Sequence, residues 1–316
     1  MTRPGLRTAA VAISIAATGA VPVVLALRAG LPLTALFALP WAAHVAGVVI
    51  LSVEVAARGA RLVALARPLG VPLRFPTALL AQVAADAAGA VTPSRSGSEP
   101  AKLLAMRSDG ARLGAVAAVA VGEMVFEVVG LLVVSAVLAV ALEGGRHASL
   151  SIVAYALVVA ASLTTLFFLA ARGSGRRRPP AWWGRLRIRR GRWRHLVRAA
   201  REFHVRARAP RHLPPGAIVR TAVATALHQA ARAATFPALA WFGTRDLNLD
   251  WQTLTLWPFS LLYLGALLPP PGGGGGVEVG FATLLGGSLD PRDLPVLLLW
   301  WRVYTHLLSA AVGAGA

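Results

Sequence analysis

LGAVAAVAVGEMVFEVVGLLVVSAVLAVAL, residues 113–142, holds thirty positions of which only Glu123 and Glu127 carry charge. A helix crosses the hydrocarbon core of a bilayer with about 20 apolar residues, so this stretch spans with length to spare. A soluble helix of that length would carry a polar face along one side. Here the charge is two carboxylates four residues apart, which share one helix face. Working outward, the runs 8–27, 33–53, 150–171, 218–242, 253–268 and 294–312 read as spans on the same grounds. Two further apolar segments, 76–91 and 277–285, are shorter and border Pro/Gly-rich stretches. The first run follows Arg3 and Arg7 and is read as a retained helix, because it is longer than the 7–15 residue core usual in a signal peptide.

Composition agrees. Hydrophobic residues make up 56% of the 316 positions and charged residues 14%, against about 45–50% and about 25% in soluble domains. Too few charges exist to cover a soluble surface. Cysteine is absent, which excludes disulfide frameworks, thiolate metal sites and cysteine nucleophiles. The net charge of +19 would suggest nucleic acid in a soluble protein, but fifteen arginines fall in 172–211 against the single acid Glu202. That loop mixes Trp182, Trp183 and Trp193 with arginine and carries no base-reading pattern, so its expected partner is an anionic membrane surface and not nucleic acid.

Basic residues set orientation. The 172–212 loop is expected in the cytoplasm, with the N-terminus and the Arg95, Lys102, Arg107, Arg112 stretch on the same side, in an inner (plasma) membrane. Arg58, Arg61 and Arg67 read as charges of a further cytoplasmic loop. If all of these lie inside, 76–91 enters and leaves on one side, as a re-entrant hairpin; such backbone is tolerated at membrane depth only where protein or a watery cavity surrounds it.

Two stretches stand out. Thr92-Pro93-Ser94-Arg95-Ser96-Gly97-Ser98-Glu99 lies in the first half, and Pro269-Pro270-Pro271 followed by Gly272 to Gly276, Val277 and Glu278 lies in the second. Each reads proline, a flexible stretch, Gly-x-Glu and then an apolar run, as one element used twice in an inverted repeat. Matching Gly/Pro-interrupted segments point to a transporter's binding region. A helix that starts after such a turn offers unpaired N–H groups and a positive dipole end to a phosphate.

Residues 269–285 resemble the Pro-Pro-Gly-Gly-x-Gly-x-x-Glu signature of the lysylphosphatidylglycerol synthase transmembrane region, a flippase-like family. Residues 92–104 resemble that family's first Pro-x-x-x-Gly-Glu stretch, and Trp301-Arg302-Val303-Tyr304 its last-helix motif. The family's Glu-Arg-x-x-Asp pattern stands here as Glu123-Met124-Val125-Phe126-Glu127, without the arginine. The resemblance implies the lipid-translocating part without the aminoacyl-transferring domain of full synthases.

Ionisable residues inside spans usually face a bundle interior or a cavity. Besides Glu123 and Glu127, His228 and Arg232 share a helix face beside Gln229, and Arg302 and His306 repeat the spacing. Asp86 and Gln82 lie in the first hairpin. His44 reads as a hydrogen-bonded helix contact and Glu54 as an interfacial charge at a helix end. No phosphate loop, His-Glu-x-x-His pair or Gly-x-Ser-x-Gly elbow occurs, so no catalytic residue, metal or cofactor is expected.

The expected fold is all-α, a single polytopic transmembrane helix bundle over 1–316 of about seven or eight spans. Its first half, 1–142, carries the re-entrant motif 76–104, and its second, 213–316, the Gly-rich motif 269–285. The expected function is a non-enzymatic lipid flippase for an anionic phospholipid or a polyprenyl-phosphate-linked lipid. Alternatives are a membrane enzyme or subunit that binds a lipid headgroup, or a scaffold for a partner synthase; a homo-oligomer is the other partner considered. The expected binding residues are Pro93, Arg95, Gly97, Glu99 and Lys102; Glu123 and Glu127; His228 and Arg232; Pro271, Gly272, Gly274, Gly276 and Glu278; Arg302 and Tyr304. In that scheme the Gly-rich turns hold the phosphate, Arg232 and Arg302 balance its charge, and Glu99 and Glu278 position the basic groups or respond to protonation.

Overall fold

A computed structural model describes residues 16, 18–141, 145–174, 190–206, 213–244 and 250–315. The described residues form eleven helices and no strand. They run α1 (Thr18–Arg28), α2 (Trp41–Ala66), α3 (Phe75–Ala90), α4 (Ser98–Met106), α5 (Leu113–Ala141), α6 (Gly145–Ser174), α7 (Arg190–Arg206), α8 (Pro215–Gly243), α9 (Trp251–Leu267), α10 (Gly276–Leu285) and α11 (Asp293–Gly315), the last with a π-helical turn at Val303–Leu307. The expected first span falls partly, and the basic loop mostly, outside the described residues.

The chain is a polytopic transmembrane helix bundle, and the side-chain pattern shows how it meets the bilayer. On α5, Val125, Val129, Val133, Val137 and Val140 are exposed at spacings of four and three, one apolar stripe along a helix. Leu113–Val140, Ser149–Leu169 and Asp293–Gly315 are each long and apolar enough to cross. With 26 and 29 residues, α2 and α8 are long enough too. Glu54, Arg58 and Arg61 on α2 are turned inward, so length and burial identify these helices better than hydropathy.

One expected span is displaced. The run 33–53 is not one helix: a 3-10 turn occupies Leu33–Phe37, and α2 begins only after Pro40, whose backbone is extended. Proline inside a helix lacks the N–H for its bond and clashes with the carbonyl four residues back. At its other end α2 continues to Ala66, well past the expected limit. Arg58 and Arg61 therefore lie on a helix inside the bundle and are not loop charges. Both are nearly fully buried, as is Glu54, which sequence reading placed at a membrane interface.

Two helical hairpins build the centre. The α3–α4 hairpin turns at Pro93–Arg95, where Ser94 and Arg95 both have positive φ, 46° and 55°. The α9–α10 hairpin turns through the glycine run, with φ of 60° at Gly272, 70° at Gly273 and 84° at Gly275. At Gly273 a side chain would also collide with the backbone of Gly265 on α9, so both conformation and packing require glycine there. The two turns abut, and the Ser94 hydroxyl donates to the Leu268 carbonyl at 3.3 Å.

Separate apolar cores flank this junction. Leu62, Leu65, Met106, Val116 and Val119 knit α2, α4 and α5 together. Phe236, Phe281 and Trp301 knit α8, α10 and α11, with the Phe236 and Phe281 rings edge to face at 4.9 Å. Charged residues fill the space between the cores.

Candidate functional site

The space between the cores is a cavity of about 580 Å³, lined by α2, α3, α4, α5, α6, α8 and α9 and by the first hairpin turn. Its floor is ionic. From α2, spacings of four and three place Glu54, Arg58 and Arg61 on one face. Arg58 grips Asp86 of α3 with two bonds, 2.8 and 3.1 Å, and Arg95 reaches the same carboxylate at 3.0 Å. Arg61 bridges Glu123 at 2.9 Å and Glu127. Lys102 joins Glu99 at 2.8 Å to Glu123 at 3.0 Å, while Gln82 donates to Glu123 at 2.9 Å.

On the α8 side, Gln229 donates to Glu127 at 2.8 Å, and Arg232 pairs with Glu54 at 2.9 Å. His228 stands between Glu127 at 3.4 Å and Glu54 at 3.7 Å. The Arg232 guanidinium lies 5.7 Å from the centre of the Tyr263 ring, within cation–π range. Isolated charges at this depth are costly, and pairing with further hydrogen bonds is what offsets that cost. The network thus stabilises the bundle and gives the cavity its charge.

Part of the lining is apolar. Met124, Val158, Val159, Leu262 and Leu267 supply it, and Val158 is half-exposed. Tyr155 also lines the cavity and packs 5.2 Å from Tyr263. The cavity thus joins an ionic floor to an apolar lip.

The glycine-rich turn is organised differently. Glu278, fully buried, accepts from the Gly275 N–H at 2.7 Å and so caps the start of its own helix. Its other oxygen lies 2.7 Å from Arg302 Nε, an ion pair close in distance but not aligned as a hydrogen bond. Arg302 also donates to the Gly272 carbonyl at 2.9 Å, tying the turn to α11. A void of about 10 Å³, lined by Arg95, Arg232, Gly272, Arg302, Thr305 and His306, separates this lock from the main cavity; it has room for about one water.

Of the residues expected from sequence, Arg95, Glu99, Lys102, Glu123, Glu127, His228 and Arg232 line the main cavity, and Gly272 and Arg302 line the void. Pro93 is exposed at the first turn, and the Gly97 N–H donates to the Thr92 hydroxyl at 2.9 Å. Gly274, Gly276 and Glu278 line neither space. Pro271 opens the 3-10 turn Pro271–Gly273. Tyr304 also stands apart, its hydroxyl 2.8 Å from His44 Nδ1, which makes His44 the helix contact expected of it. Arg58, Arg61 and Glu54 are the residues sequence reading missed. Their helical spacing was the available signal, masked by the assumption that basic residues after a span lie in a loop. Asp86 and Gln82, one turn apart on α3, belong to the same set. Among the described residues no cluster suited to a metal ion occurs.

Outside the membrane-spanning part, Asp109 is held below the usual carboxylate range, first by the backbone N–H of Arg74, which donates at 2.8 Å.

No curated protein matches the chain. The profile of the lysylphosphatidylglycerol synthase TM region matches residues 8–313, nearly its whole length. A lipid-associated membrane family fits a bundle whose central cavity joins an ionic floor to an apolar lip, and the chain belongs to the lysylphosphatidylglycerol synthase TM region family.

Proposed function

We propose that the protein is a lipid flippase, moving an anionic phospholipid or a polyprenyl-phosphate-linked lipid between leaflets without chemical change. The observation that carries this reading is the lining of the central cavity: five cationic side chains, Arg58, Arg61, Arg95, Lys102 and Arg232, with the carboxylates Asp86, Glu99, Glu123 and Glu127, and beside them the apolar Val158, Val159 and Leu262. A headgroup phosphate is held among the cations while its acyl or prenyl chains lie along the apolar residues. In this reading the two hairpins are re-entrant halves of an inverted repeat, and the headgroup passes beside their abutting turns. The membrane is the inner (plasma) membrane, with the N-terminus and the 172–212 loop in the cytoplasm.

The test is translocation in proteoliposomes. Fluorescent phosphatidylglycerol on the inner leaflet becomes accessible to an impermeant quencher at a rate set by the protein. A wild-type rate equal to that of empty liposomes, for both a phospholipid and a polyprenyl phosphate, removes the reading.

One observation favours a second role. On α7, Phe203 packs inward while Arg194, His195 and Arg198 stay exposed. This basic face suits anionic headgroups or the acidic surface of a partner synthase. Charge reversal on α7 that spares translocation but releases a co-purifying synthase supports the scaffold role.

A further inference from the structure

The two hairpin turns are alike in sequence but not in what their glutamates do. At the second, Glu278 folds back onto the Gly275 N–H, so the start of α10 already holds a carboxylate. At the first, Glu99 is drawn away by Lys102, and no side chain caps the nine-residue helix α4. The first turn of α4 therefore keeps its N–H groups free of a side-chain cap, and the acid in that turn, Glu99, is taken up by Lys102.

The groups beside it point the same way. Asp86 is shared between Arg58 and Arg95, so two cations meet one acid and this corner holds a positive surplus. The neighbouring chain of pairs runs opposite, with Arg61 and Lys102 against Glu99, Glu123 and Glu127. Ser98, in the first turn of α4, lines the cavity with a buried hydroxyl that has no hydrogen-bond partner. Arg61 Nε, on a side chain only 4% exposed, lines the same cavity and is also unpartnered. Space for these groups comes from Gly89 on α3, where a side chain would collide with Ser98 Oγ and crowd Arg95 Nε.

We propose that the phosphate seat of the cavity is the first hairpin turn, formed by the Arg95 guanidinium, the Ser98 hydroxyl and the uncapped start of α4, and not the glycine-rich turn. This rests on the reading of the cavity as a lipid-headgroup site. The glycine-rich turn instead holds Arg302 in place through Glu278. A tetrahedral phosphate, as the free ion or within a phosphodiester, supplies what the seat lacks: negative charge against the Arg58–Asp86–Arg95 surplus and an acceptor for Ser98. Asp86 and Glu99 are the nearby carboxylates, each already engaged by a cation.

The experiment is a thermal-shift titration of the purified full chain in neutral detergent, once with inorganic phosphate and once with phosphatidylglycerol in mixed micelles. Ser98→Ala removes one oxygen and is expected to weaken binding of phosphate in either form by about ten- to a hundredfold, the loss of one hydrogen bond to a charged group. Arg95→Gln is expected to weaken it further. Glu278→Gln is expected to lower the melting temperature without ligand while keeping the wild-type dissociation constant. The seat is overturned if Ser98→Ala binds phosphate as wild type does, if Glu278→Gln alone abolishes binding, or if wild type binds neither ligand. Binding of inorganic phosphate without phosphatidylglycerol keeps the seat but defeats the phospholipid reading of the cavity. Should Glu278→Gln fail to fold, the Ser98→Ala result decides alone.

Discussion

Replacing Arg302 by glutamine removes the cation that faces a fully buried carboxylate. The two side chains are 4% and 0% exposed, and among the described residues no second cation pairs with Glu278. The guanidinium also gives up its bond to the Gly272 carbonyl. Stranding one partner of a buried pair costs about 3–5 kcal/mol. At about 2 °C per kcal/mol for a chain of this size, that is about 6–10 °C off the melting temperature. The loss is present without any lipid, because the partner is a protein group. Glu278→Gln is expected to cost about as much, since it breaks the same pair and weakens a helix cap worth about 1 kcal/mol. Combining the two changes is expected to recover part of the loss, leaving a coupling energy of about 2 kcal/mol or more in a double-mutant cycle. The assay is thermal unfolding in detergent followed by tryptophan fluorescence. An Arg302→Gln protein that melts with the wild type, or single losses that simply add in the double variant, would refute the lock.

Other expectations follow from the same structure. Arg61→Gln leaves Glu123 and Glu127 sharing fewer donors and is expected to destabilise by at least about 3 kcal/mol, more than Arg95→Gln, whose side chain is 26% exposed; melts of the two variants rank them. Gly47→Ala would drive a methyl into the Tyr304 ring, 2.6–2.8 Å away, and is expected to cost about 1–3 kcal/mol and part the His44–Tyr304 contact. Asp250 caps α9 by accepting from Gln252 and Thr253 at 3.1 and 3.3 Å, and its carboxyl is held below the usual range, first by the Thr253 side chain. That contribution is present above the ordinary carboxylate range and lost as pH falls through the lowered value, so the gap of about 0.5–1 kcal/mol between wild type and Asp250→Ala closes in acid. A cysteine placed at exposed Ser108 is expected to resist an impermeant thiol reagent applied to the outside of cells; labelling there would make the α3–α4 hairpin a full crossing.

Much of this was legible in the sequence, and the parts that were not share one cause. The Leu113–Ala141 helix, both hairpin turns and the pairs Glu123/Glu127 and His228/Arg232 followed from length, composition and helical spacing. Arg58 and Arg61 did not, because a burial rule based on one residue at a time assigns any arginine to water. Their partners lie on two other helices, α3 and α5, and only tertiary pairing makes their burial tolerable. The role of Glu278 was hidden differently. Its position one turn into α10 was readable as a binding group, but whether a carboxylate faces a ligand or its own helix start depends on side-chain geometry. Similar local sequence at Glu99 gives the other outcome because Lys102 lies three residues on.

The charge on α2 bears on how the chain is made. Arg58 meets Asp86 only 28 residues later, but Arg61 waits 62 residues for Glu123 and Glu54 waits 178 for Arg232. At about 5–20 residues per second, the last of these delays lasts about 10–35 s, during which a helix with an unmatched carboxylate has already left the ribosome. Such a helix gains little from entering lipid alone. Its stable place is prepared when α8 arrives and lays its length against it. Biogenesis of this protein therefore calls for α2 to be sheltered by the insertion machinery until then, and a nascent chain stalled before residue 232 is expected to be extracted and degraded where one stalled after it is retained.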